Sequence, residues 1–217
     1  VELDRYTHVI MTTPLRAAGA TAQLDAFVKN GGVLWLQGAS TVAWAAGEGL
    51  TEATWRETPA QRQAAELKRA RNNKASPETQ GALLPERKPF STASDEYAFT
   101  LVRGAILQGN LDTSHPLGYG YTSSELAVFR TTNRFMNPSS NAYSSPVVYT
   151  DSPLLSGYMS EENRSLVANS AGLVVDERGQ GAVVLSLDSP TFRAFWWGTQ
   201  RLLVNGIFFG DLLEEPR

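Results

Sequence analysis

The side chains able to carry acid–base or nucleophilic chemistry are few. There are two histidines, His8 and His115, and no cysteine, which excludes a thiolate nucleophile, a thiolate metal site and a disulfide framework. His115 stands in the run Asp112-Thr113-Ser114-His115-Pro116-Leu117-Gly118-Tyr119-Gly120-Tyr121. A carboxylate three positions before an imidazole can orient it, and Pro116 stiffens the turn between them. Asp112 equally suits an Asx turn, so the pair reads as a loop anchor, with a catalytic or ligand-holding role as the alternative. His8 falls in a strand-like run and reads as a packed or hydrogen-bonded histidine. Ser40, in Gln37-Gly38-Ala39-Ser40-Thr41, is the hydroxyl placed at a sharp strand-to-helix turn, where a nucleophile would need a base and oxyanion donors. Val42 occupies the position where G-x-S-x-G has its second glycine, so Ser40 reads first as a helix N-cap. No catalytic set is assigned. Ser40, His115 and Asp112 are the candidates should the chain be a Ser-dependent hydrolase.

Other chemistries find less. The histidines lie far apart, with no H-E-x-x-H and no calcium-loop spacing, so no metal site is proposed. Gly118-Tyr119-Gly120 lacks the third glycine and the following helix of a phosphate cradle. Tyr119, Tyr121, Tyr143 and Tyr158 sit in loop-like segments and offer flat apolar faces, which suggests a carbohydrate- or peptide-binding module as a further alternative. Trp196-Trp197 suggests a sugar platform, but its spacing beside Phe192 and Phe195 places at least one tryptophan in the core. Asn163-Arg164-Ser165 is a formal glycosylation sequon that carries little information alone.

The elements that must position these residues begin with a strand over 6–13, ended by Pro14. A helix follows over 21–29, with Thr21 as its N-cap and Asn30-Gly31-Gly32 as its stop. Val33-Leu34-Trp35-Leu36-Gln37 is a nearly continuous apolar run, as for a strand buried on both faces. Together these form a βαβ unit with parallel strands. Residues 50–96 read as an insertion: within 52–74 six basic residues face three acidic ones, a local +3 suited to a solvated helix, and 75–96 is proline-bearing and irregular. Strands resume at 98–102, 105–107, 126–129 and 147–149, with a polar loop over 131–145. Leu173–Val175 and Ala182–Leu187 flank Glu177-Arg178-Gly179-Gln180-Gly181 as an antiparallel hairpin. A helix over 191–209 closes the chain, with Phe192, Phe195, Trp196, Leu202, Leu203 and Ile207 on one face.

The length of 217 residues, 42% apolar and 19% charged content, and a formal charge of −3 describe one globular α/β domain with a mixed sheet. The charge gives no reason to expect nucleic acid as a partner, and no apolar run reaches the roughly 20 residues of a membrane span. The first residue is Val, which suggests a piece of a longer chain.

The stretch from Tyr6 to Thr13, with Asn30-Gly31-Gly32-Val33-Leu34-Trp35-Leu36, resembles class I glutamine amidotransferase-like domains. Three segments are similar to the C-terminal, amidotransferase-like domain attached to some bacterial zinc carboxypeptidases. They are His115-Pro116-Leu117-Gly118-Tyr119-Gly120, Asp151 through Tyr158, and Gly179 through Leu185 continuing to Phe192-Arg193-Ala194-Phe195-Trp196. The resemblance implies a three-layer, flavodoxin-like α/β sandwich with a C-terminal antiparallel hairpin. It also implies a non-catalytic accessory domain whose partner is its own N-terminal peptidase domain, in a periplasmic or secreted protein. Peptide or glycan is the ligand expected at loops 109–122 and 131–145. Zinc would belong to the peptidase domain, with no cofactor here. Active amidotransferases use a cysteine at the elbow, and near Gly38–Ser40 there is none.

Overall fold

A computed structural model describes residues 2–15, 17, 19–102 and 104–213. The first strand, β1 (His8–Met11), leads to helix α1 (Ala20–Lys29) and then to β2 (Val33–Gln37). The two strands are parallel, with His8 opposite Val33 and Met11 opposite Leu36, as the βαβ reading requires. Helix α1 begins on Gly19 at φ 78°, not on Thr21, whose hydroxyl donates instead to Glu48 at 2.8 Å. Helix α2 (Ala39–Gly47) follows β2, and its N-cap is Gly38 at φ 91°; Ser40 is therefore the second helical residue, and the cap expected of it falls to Gly38.

The short β3 (Trp55–Arg56) precedes α3 (Pro59–Asn72), which starts in a capping box between Thr58 and Gln61 and has no buried residue. Two further exposed helices, α4 (Pro77–Ala82) and α5 (Ala93–Thr100), replace the irregular excursion expected at 75–96. Helix α5 also takes over the start of the strand expected at 98–102: Asp95 and Glu96 in its first turn favour helix by offsetting the positive end of the backbone dipole. Strands β4 (Ala105–Leu111), β5 (Glu125–Arg130), β6 (Phe135–Met136) and β7 (Val147–Ser156) come next, then α6 (Glu161–Val167), the hairpin β8 (Ala171–Arg178) and β9 (Gly181–Ser186), and α7 (Gln200–Phe208). Gly179, at φ 71° in the two-residue hairpin turn, lies against Lys29 and leaves no space for a side chain.

Among the described residues, nine strands form one sheet whose main path runs β1-β2-β9-β8-β7-β4-β5, with β3 and β6 off it. Only β1, β2 and β9 are mutually parallel; β9-β8, β8-β7, β7-β4 and β4-β5 are antiparallel. The expected flavodoxin-like, amidotransferase-like three-layer sandwich is therefore corrected. A doubly wound fold needs crossover helices between successive parallel strands, whereas here most of the sheet is antiparallel and curls into a half-barrel. The alternation along β2 and β9 still divides two cores. Leu34, Leu36, Val183 and Leu185 pack with Leu24, Val28 and Val42 of α1 and α2, while Val33, Trp35, Ala182 and Val184 pack with Leu202 of α7.

The closing helix starts nine residues later than its apolar spacing predicts. Arg193 and Ala194 adopt left-handed φ values of 48° and 56°, a conformation that costs a non-glycine residue about 1–2 kcal/mol. Packing of Phe192 and Trp196 on Phe129 of β5, at ring separations of 4.4 and 5.6 Å, holds this break in place.

Candidate functional site

Strand β4 ends at Leu111, and the Asp112 amide donates to Pro146 O at 2.9 Å, tying the 112–119 loop to the end of the 131–145 loop. Oδ1 of Asp112 accepts from the Ser114 amide at 2.9 Å and from its hydroxyl at 2.6 Å, the Asx turn anticipated for it. These bonds, the hydroxyl's first, hold the Asp112 carboxyl below its usual range. His115 Nδ1 accepts from the Leu117 amide at 3.1 Å and caps the single 3₁₀ turn Pro116–Gly118. That bond requires the nitrogen to be unprotonated, and burial lowers the His115 pKa against the opposing pull of Asp112. Leu117 is fully buried, and Asn205 of α7 donates to both Leu117 O and Tyr119 O at 2.8 Å. Tyr119 meets Phe209 edge-on with centroids 5.4 Å apart.

Asp112, His115, Tyr119 and Tyr143 converge on one open groove of about 840 Å³. Four of the residues singled out in the sequence thus meet, two of them from the loop 109–122 as hydrogen-bonded anchors. Glu177 of the β8–β9 hairpin and Asp211 line the same groove and were not anticipated. Nothing in their local sequence marks them: Glu177 reads as turn, and Asp211 belongs to no motif.

Ser40 is not brought to this groove. The hairpin end that carries Glu177 is level with Ala182 and Val33, whereas Ser40 follows Gln37, which pairs with Ser186 at the opposite end of the same strands. Four strand residues at ~3.3 Å each separate those ends by roughly 13 Å, so a Ser40–His115 hydrogen bond is outside reach. Tyr121 turns to a different groove, and its hydroxyl donates to Gly198 O at 2.8 Å; burial pushes this phenol up to about 12. Tyr158 is exposed beyond β7. His8 Nδ1 pairs with the Thr7 hydroxyl at 2.9 Å, and its buried Nε2 has no partner among the described residues. Asn163 of the sequon is buried, with its amide donating to Thr100 O at 3.1 Å, so it offers no accessible acceptor for a glycan.

At the other end of the sheet lies a buried ionic cluster. Arg130, with no exposed surface, donates through Nε and Nη2 to the two carboxylate oxygens of Asp188, each at 3.2 Å. Tyr149 donates to Asp188 Oδ2 at 2.5 Å, and burial raises its pKa well above the ordinary phenol range. The guanidinium lies 4.9 Å from the Tyr149 ring centroid and 5.3 Å from that of Phe135. Among the described residues, no cluster of three or more His, Asp or Glu has the arrangement of a metal site.

No family model and no curated protein matches the chain. It is similar to a solved structure of a cytoplasmic protein from Salmonella typhimurium, at 16% identity and a TM-score of 0.45, covering 96% of this chain and 73% of that one. At that level the likeness carries no activity across. That neighbour is described as cytoplasmic, against the periplasmic or secreted location implied by the sequence resemblance, and this location is not carried further. Among the described residues, no helix is long and apolar enough to cross a membrane.

Proposed function

We propose that this chain is a non-catalytic accessory domain of a zinc-carboxypeptidase-like protein, packing against its peptidase domain and presenting substrate through the groove of Asp112, His115, Tyr119 and Tyr143. One observation carries the reading. The two residues with acid–base potential are used to build the loop: Asp112 holds Ser114, and His115 holds the Leu117 amide. What faces the groove beside them is two tyrosines and the carboxylates of Glu177 and Asp211, a surface that binds by stacking and charge. Zinc and its chemistry belong, in this reading, to the peptidase domain.

The test is to assay the chain for peptidase, esterase and glutaminase activity with and without zinc. The expected result is no turnover in any arm; robust turnover that survives Ser40→Ala, or that is abolished by it, overturns the accessory role. Tyr143→Ala is expected to weaken capture of peptide substrates by the parent protein while leaving hydrolysis of a minimal chromogenic substrate unchanged.

A further inference from the structure

The edge strand β5 carries an aromatic groove that the accessory reading does not use. The left-handed pair Arg193-Ala194 splits the aromatic run in two. Phe192 and Trp196 turn inward onto Phe129, and Phe195 and Trp197 are left 53% and 77% exposed. Trp196 and Tyr121 are pinned by their heteroatoms: Trp196 Nε1 donates to Ala127 O at 3.1 Å and Tyr121 Oη to Gly198 O at 2.8 Å. Arg201 braces Tyr121 from a guanidinium 5.6 Å from its ring centroid while donating to Gly120 O. The result is a groove of about 520 Å³ in which Trp196 and Tyr121 are held before any ligand arrives and Phe195 and Trp197 present exposed rings, within the size range of ligand sites. Its polar side consists of Thr122, Ser123 and Glu125. The Ser123 hydroxyl oxygen accepts from the Glu125 amide at 3.1 Å, which leaves its proton to donate outward.

We propose that this groove is a carbohydrate-binding site that stacks β-1,4-linked pyranose rings on Trp197 and Phe195. The chemistry favours a sugar over other planar or apolar ligands. Flat, equatorially substituted rings present C–H faces to aromatic rings and a rim of hydroxyls to hydroxyl and carboxylate partners, and both kinds of partner line this groove. A proline-rich peptide also uses aromatic grooves, but it gains nothing from a carboxylate-and-hydroxyl rim beyond its own carbonyl acceptors.

The experiment titrates the whole chain with cellohexaose, xylohexaose and chitohexaose by calorimetry, alongside a polyproline peptide. At least one oligosaccharide is expected to bind, with Trp197→Ala weakening it about tenfold, the effect of a lost aromatic contact of about 1.4 kcal/mol. Phe195→Ala weakens it less, and Tyr143→Ala, in the other groove, leaves it unchanged. Trp197 is exposed, so its replacement leaves the melting temperature in place and the loss is read as binding. Absence of binding to all three sugars, binding undiminished in Trp197→Ala, or binding of the polyproline peptide in place of the sugars overturns the proposal. None of these outcomes bears on whether the chain has hydrolytic turnover, so the two readings stand or fall separately.

Discussion

Replacing Asp188 by asparagine is the sharpest probe of what holds the curled half of the sheet. The substitution keeps the shape of the side chain and one oxygen acceptor, but removes the negative charge opposite a guanidinium with no exposed surface. Arg130 cannot compensate by turning to solvent, because β5, Phe135 and Tyr149 enclose it. Its Nη1 has no partner among the described residues, so the bidentate contact with Asp188 supplies most of its stabilisation. Breaking one side of a buried ion pair costs about 3–5 kcal/mol. For a chain of this size each kcal/mol moves Tm by about 2–4 °C, so Asp188→Asn is expected to lower Tm by roughly 6–20 °C. Circular dichroism melts read this directly. The double variant Arg130→Met/Asp188→Asn removes both charges and is expected to melt above the Asp188→Asn single variant, since no uncompensated cation remains. A Tm within about 2 °C of the parent for Asp188→Asn, or strictly additive losses in the double variant, refutes the assignment of Asp188 as the anion this cation depends on.

Other outcomes follow from the same geometry. His115 titrates below its ordinary value because it is buried. The unfolded chain therefore takes up that proton first as pH falls through about 6.5, and stability declines from there until the folded-state pKa is passed. His115→Gln, which keeps an acceptor for Leu117, is expected to flatten this slope in urea melts between pH 7 and 5; an unchanged slope contradicts it. Gly179→Ala forces a side chain onto Lys29 at a left-handed turn, and is expected to destabilise by at least about 1–2 kcal/mol in denaturant melts. Thr58→Ala removes the capping box of α3 at a local cost of about 1 kcal/mol. Since α3 buries nothing, hydrogen exchange should speed up within it while global Tm stays put.

The parts of the fold written in local sequence were legible. The apolar run Val33–Gln37 forms a strand buried on both faces, and the glycine-bearing turn at 179–181 closes the β8–β9 hairpin. What local sequence does not hold is decided by distant packing. The break at Arg193-Ala194 consists of residues that tolerate helix, and packing on Phe129 and the Trp196–Ala127 hydrogen bond, more than sixty positions earlier, select the left-handed backbone there. The fold class was missed for a related reason. A strand of alternating burial, such as β4 with its small and polar Gln108, Gly109 and Asn110, shows that it pairs but not in which direction. In the site, the punctuation Asp112 to Gly118 marked a structured loop, and both the Asx turn and the imidazole cap are local. That Tyr143 would face the same groove depends on the Asp112–Pro146 hydrogen bond, a contact no sequence spacing announces.

The pairing of β2 with β9 also sets the order in which the molecule can assemble. Val33 finds Ala182, about 150 residues later, and the β9 side of the buried strand β2 has no partner until that point. During synthesis from the N-terminus, the β1-α1-β2 unit must wait with the β9-facing edge of β2 unpaired, and with Val33 and Trp35 uncovered on the face later packed by Leu202, while the whole antiparallel half is made. The last hairpin therefore acts as a clasp, joining a waiting parallel unit to a sheet built after it, and a chain shortened before Gly181 would leave that unit open to association with other copies.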